Sequence, residues 1–237
     1  MTDAPRFPPL FSALEVSGGT DPFDKAQAEA RRGCDAGLVV YNLAPDRLRA
    51  ALVLAPEVAL EEAVAMLPAC GVGFQNALGA LAPPEVAVHL DWAGGLRING
   101  AACGRLRCAA DTRDPAARPD WLVIGLDLPL WPRDMKRAGD TPDETALFAE
   151  GCADVAAPAL LESWVRHTLL WITRWEDEGT APLHAEWRGM AQGIGEDATV
   201  DGRSGTFLGV DDRFGMLLRD AQTTHLIPLS TRLETAR

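Results

Sequence analysis

Lysine is nearly absent. Lys25 and Lys136 are the only two in 237 residues. Chemistry that needs a lysine beside a nucleophile or a phosphate therefore has few places to occur. No apolar run approaches the ~20 residues that cross a bilayer. The opening MTDAPRFPPL lacks the apolar centre of a secretory signal. The expectation is a cytoplasmic protein with no membrane segment. There is also no C-x-x-C. The five cysteines (Cys34, Cys70, Cys103, Cys108 and Cys152) are odd in number, and Cys103 and Cys108 have no second pair to complete a metal site. No metal is expected, and buried reduced thiols are the natural reading. Basic runs, internal repeats and low-complexity tracts are missing too. A net charge of −12 repels phosphate surfaces, so neither nucleic acid nor an anionic membrane is an expected partner.

What is present reads as an ordinary globular chain, 47% hydrophobic and 24% charged, long enough for one large domain plus a small one. In GTDPFDKAQAEARRG, Asp21 suits a helix cap, Pro22 the first helical position and Gly33 the stop. Residues 36–42 and 47–56 read as a hairpin joined by a short polar loop. Residues 57–67 read as a helix ending near Pro68, followed by a second helical piece with Phe74, Leu78 and Leu81 on one face. PPEVAVHLDW reads as a strand. LRING and ACGRLRCAA form a predicted hairpin around Asn99-Gly100. Residues 121–126 are apolar enough for a central strand. Over 157–178, Leu161, Trp164, Val165, Thr168, Trp171, Ile172 and Trp175 fall at helical spacing and predict a core-facing stripe. From 196 to 229 the chain breaks into short strands at Asp201-Gly202, Asp211-Asp212-Arg213 and Asp220-Ala221-Gln222, the texture of a small barrel. A boundary near residue 188 gives two domains, 1–187 and 188–237.

Four stretches, in order, resemble the biotin protein ligases, within the wider biotin/lipoate ligase and octanoyl transferase superfamily. Residues 89–107, HLDWAGGLRINGAACGRLR, look like K-W-P-N-D, a turn and K-x-x-G. WLVIGL resembles the L-V-I-G-I strand. GTAPLHAEWRGMA resembles the link into the last domain, and GRSGTFLGVDDRFGMLLRD its G-x-x-x-G-I-D-x-x-G-x-L-L pattern. The resemblance implies an α+β fold: a mixed β-sheet backed by helices, with a small C-terminal Src homology 3 like β-barrel. No helix-turn-helix domain is expected ahead of it, which sets aside the DNA-binding branch. The implied cofactors are biotin, lipoate or ATP. The implied partners are a small carboxylate or acyl ligand and an acyl- or biotin-carrier protein.

Those ligases join a carboxylate to an α-phosphate, and two anions need cations to meet. The family supplies them from a G-R-G-R-x-G-R loop and a lysine. Here the loop position holds only LAPDRLR, with Arg47 and Arg49. The K-W-P-N-D position reads Asp91, Trp92, Ala93, Gly94 and Gly95, and the lysine position falls at Ala101 or Ala102, ahead of Gly104. Losing one preorganised donor typically costs about 2.7–4 kcal/mol of transition-state stabilisation, so ATP-dependent ligation is not expected.

The candidate ligand-binding residues are Thr20, Asp21, His89, Asp91, Trp92, Gly94, Gly95, Gly104 and Arg105. Thr20 and Asp21 lie where the family's first helix faces the acyl ligand, with capping as the alternative for Asp21. His89 and Asp91 share a strand face, either for proton transfer or as a hydrogen-bonded pair. Gly94-Gly95 allows close backbone approach or merely a tight turn. Arg105 or Arg107 projects into the pocket, or both face solvent or surface carboxylates. Three functions stay open. A divergent ligase or acyltransferase predicts an apolar slot beside residues 90–95 with a cation at its mouth. A binding module keeps a ligand slot without ATP chemistry. An assembly protein fills the pocket with its own side chains. An acyltransfer route through Cys103 has no lysine beside it.

Overall fold

The computed structural model describes residues 4–132 and 143–235; Lys136 lies outside them. Eleven strands among these residues form two sheets. The larger runs β1-β2-β3-β7-β6-β5-β4: β1 (Ser12–Glu15), β2 (Leu38–Ala44), β3 (Arg47–Leu54), β4 (Val88–Leu90), β5 (Gly95–Ile98), β6 (Ala101–Ala110) and β7 (Leu122–Pro129). Only β1 pairs parallel, with β2; the other ladders are antiparallel. The smaller sheet, β11-β10-β9-β8, is antiparallel and fits a small Src homology 3 like domain: β8 (Asp197–Val200), β9 (Arg203–Val210), β10 (Met216–Arg219) and β11 (Thr224–Ile227).

The apolar strand sits in the middle of the larger sheet because both its faces are covered. On one face α3 (Met66–Gly79) and α4 (Ala157–Glu178) pack together over Leu52, Leu96, Leu106, Ile124 and Leu126. The predicted stripe supplies that contact: Leu161, Trp164, Val165 and Thr168 are fully buried. The helices come close because Gly73 has no Cβ; one added there would sit 2.7 Å from Thr168 Oγ1 and 3.1 Å from its Cα. Two indole N–H groups are satisfied across the contact, Trp164 donating to the Cys70 carbonyl and Trp171 to Asn76. The tryptophans are core.

On the other face lies α1 (Pro22–Arg31), with Phe23, Ala26 and Ala30 against Val40, Ala51, Val53 and Val123. It begins as predicted: Asp21 Oδ1 accepts the Phe23 N–H at 3.0 Å. It also stops as predicted, with Gly33 at φ +85°. The Asn99-Gly100 turn has positive φ at both residues, the twist a two-residue hairpin needs.

Four expectations need correction. Pro68 does not end a helix; it sits in the first turn of α3, where its missing N–H would have had no partner anyway. In place of one helix over 57–67 there is the single turn α2 (Leu60–Ala63), and α3 has already begun at Met66. Leu81 lies past the end of α3 and is exposed. The strand predicted over PPEVAVHLDW shrinks to three residues. A further helix, α5 (Thr180–Met190), was not anticipated; it buries Leu183, Trp187 and Met190.

Candidate functional site

Strand register decides which side chains share a face. Asn42 on β2 pairs with Arg49 on β3, Arg49 with Asp127 on β7, Asp127 with Arg105 on β6, and Arg105 with Gly95 on β5. This row crosses five strands on the α1 side. One step along, Ala51, Gly125 and Arg107 form the next row. α1 packs over β2, β3 and β7. Past it, Arg105 is exposed.

Each arginine has its own circumstances. Arg47 grips Asp127 with two hydrogen bonds, 2.5 and 2.8 Å, and that carboxylate raises its pKa. Arg107, only 11% exposed, reaches Asp21 at 2.7 Å, holds both oxygens of Glu234 at 2.9 and 2.7 Å, and lies 4.1 Å over the Phe23 ring. Burial lowers its pKa, but the two carboxylates overcome that and raise it. Arg49 has a single long contact, 3.5 Å to the Gly18 carbonyl, and its Nε is buried with no acceptor among the described residues. Arg105 has no ion pair among the described residues. Arg47, Arg49, Arg105 and Arg107 face Asp21, Asp127 and Glu234, and Asp46 also acts on Arg47, so the four arginines are matched in number by four carboxylates while two of the arginines lack a direct partner among the described residues.

The sequence candidates divide. Thr20 is exposed at the approach to α1. Asp21 both caps and pairs, one oxygen to each task. His89 lies in β4 and Asp91 just past its end, and they do not bond each other: Asp91 takes Arg97 at 2.8 Å, and His89 Nδ1 is buried without a partner among the described residues. Trp92 is structural. Its Nε1–H donates to the Phe214 carbonyl at 2.7 Å, and Arg232 stacks 5.5 Å from its ring, joining the two sheets. Gly94 has φ +93°, and a Cβ there would stand 2.8 Å from the Leu106 carbonyl oxygen. Gly95 joins the arginine row. Gly104, at φ +114°, passes so close to β7 that a Cβ would lie 2.5 Å from the Asp127 carbonyl oxygen.

The apolar slot expected beside residues 90–95 is not there. Leu90, Trp92, Leu106, Trp187 and Phe214 leave a cavity of about 10 Å³, room for one water. The arginine side chains project from the opposite face, with Gly95 bordering both. Cys103 points into the core, fully buried; burial, then Glu150 and Cys152, push its thiol up to about 12, which rules against a thiolate nucleophile.

The family model for biotin/lipoate A/B protein ligases matches residues 7–189. The chain belongs to the biotin/lipoate A/B protein ligase family. A second model, a domain of unknown function (DUF4444), matches residues 194–235. No curated protein matches the sequence. Among solved structures, a biotin protein ligase-like protein of unknown function from Silicibacter sp. is 68% identical over 98% of this chain and 100% of that one, with a TM-score of 0.93. The Aquifex aeolicus biotin protein ligase, solved with biotin and ATP, is 12% identical over 91% and 95% (TM-score 0.72). The Leishmania major ligase with biotinyl-5-AMP is 17% identical over 93% and 99% (TM-score 0.57). At those low identities the likeness is one of fold.

Within the ligase fold, this chain places a two-residue turn, Pro45-Asp46, between β2 and β3, where the arginine- and glycine-rich loop was sought. Asp127, Arg97, Phe23 and Glu234 were not anticipated. Asp127 had a visible signal, a lone charge inside an apolar strand. Glu234 had none, being 127 residues from its partner.

Proposed function

We propose that this ligase-family protein binds a small carboxylate or acyl ligand on the α1 face of its large sheet and does not activate it with nucleotide. The observation that carries the reading is the pair Arg49 and Arg105. They flank Asp127 in register, about two strand spacings or roughly 10 Å apart, and neither has a carboxylate partner among the described residues. A buried guanidinium N–H without an acceptor costs about 1–3 kcal/mol. An anionic group bound between the two arginines supplies that acceptor. Two observations argue against nucleotide. Arg47 and Arg107 are already neutralised by the chain's own carboxylates. Phe23 covers the sheet at Gly125, where a Cβ would meet its ring at 2.6 Å.

The same Phe23 packing favours the assembly reading as second choice, because it fills part of the face that an acyl ligand would use. The division near residue 188 stays part of the proposal. It is supported by the end of α5 at Met190 and the start of β8 at Asp197.

Thermal shift against octanoate, lipoate, biotin and ATP tests the proposal. A ligand at a hundredfold excess over its Kd raises stability by about 2.7 kcal/mol. A shift with a carboxylate and none with ATP supports it. A shift with ATP revives ligation, and no shift with any of the four leaves the assembly reading.

A further inference from the structure

The segment after β11 returns to the large sheet. Above its pairing with β5, β6 has an edge with no strand partner among the described residues, and the chain's last described residues take it. The Glu234 N–H donates to the Cys108 carbonyl at 2.8 Å. Leu233 is buried, and Arg113 donates to the Leu233 carbonyl and to Thr235 Oγ1, both at 3.2 Å. This seating puts the Glu234 carboxylate flat against the Arg107 guanidinium. A two-pronged carboxylate on an arginine is the geometry a carboxylate ligand would adopt. Arg107 stands two residues along β6 from Arg105, on the same face, about 7 Å away.

We infer that Glu234 is a tethered competitor: its carboxylate occupies Arg107 as a second anion position of the ligand face, and it sets how tightly that face holds an anionic ligand. This rests on the reading that carboxylates bind at Arg49 and Arg105. With Glu234 seated, the four arginines are matched by four carboxylates, Asp21, Asp46, Asp127 and Glu234. With it neutralised, Arg107 keeps only Asp21 and one positive charge goes uncompensated. The backbone bond from Glu234 to Cys108 does not involve the carboxylate, so the tail can stay on β6 while its side chain yields.

The test is calorimetric titration of octanoate into the full chain, its Glu234→Gln variant and its Arg49→Gln variant. Unmasking a unit charge about 8 Å from the bound anion strengthens binding by about twofold even at the dielectric of water, so E234Q is expected to bind at least that much tighter. Glu234→Ala should bind tighter as well, and it covers the case in which glutamine still holds Arg107. Matching near-ultraviolet circular dichroism spectra establish that each variant is folded. Equal or weaker binding by both Glu234 changes overturns the competitor while leaving the ligand face intact, provided the parent chain binds and R49Q binds about tenfold more weakly or worse. Binding by none of the proteins overturns both.

Discussion

At the scale of single residues, the decisive contrast is between arginines that are satisfied and arginines that are not. Arg47 and Arg107 sit in hydrogen-bonded ion pairs, and among the described residues Arg49 and Arg105 do not. Replacing Arg49 by glutamine should weaken carboxylate binding by about tenfold to a hundredfold, the worth of a charge-assisted hydrogen bond, with little loss of stability; a titration beside a melting curve checks both halves. Gly94 carries the opposite kind of constraint. Alanine there must hold a positive φ and press on the Leu106 carbonyl, so it should cost about 1–3 kcal/mol, read from urea midpoints. The residue types were legible from the sequence: Arg47 and Arg49 stood out as the cations where a loop was missing, and Asp21 as a cap. Their pairing was not legible. Arg49, Asp127 and Arg105 become neighbours only through the register of three strands, and a one-residue slip would send any of them to the core.

At the scale of elements, patterning told most where one period dominated. The α4 stripe and the β5–β6 hairpin were plain because tryptophan spacing and Asn-Gly leave few alternatives. α5 was missed because Pro182 and Gly189 obscure a stripe that is nevertheless present: Leu183, Trp187 and Met190 at helical intervals. The start of α1 makes two jobs separable. Asparagine caps as well as aspartate, whereas alanine costs about 1 kcal/mol. Asp21→Asn should therefore melt above Asp21→Ala, although both remove the ion pair with Arg107. In the small sheet, the turn before β11 hangs on Asp220. The Thr223 N–H, then His225 and the Gln222 N–H, hold its carboxylate down at about 2, against a usual 3.8. A depressed carboxyl stabilises the fold above its ordinary value, and this contribution fades as pH falls from about 4 toward 2. The Gln222 and Thr223 amides should lose hydrogen-exchange protection over that interval and keep it at pH 5.

At the scale of the whole molecule, the two sheets are joined more firmly than a linker alone would join them. The Trp92 indole bonds to Phe214, Arg232 lies over the same ring, and Glu234 returns to β6. Urea unfolding should accordingly show one transition, with tryptophan fluorescence and far-ultraviolet circular dichroism coinciding. Trp92→Phe, which strands the Phe214 carbonyl, should lower stability by about 1–3 kcal/mol and begin to separate the two signals.

The connection between the sheets is itself part of that joint. Ala191 bridges to Leu90 in parallel, and the Gln192 N–H donates to the Leu90 carbonyl at 2.9 Å. The crossing peptide thus lies along the margin of β4 and shields it. A protease nick at the glycines just beyond, Gly193 or Gly195, would sever the backbone without parting the pieces, which should run together on a sizing column and separate only in denaturant.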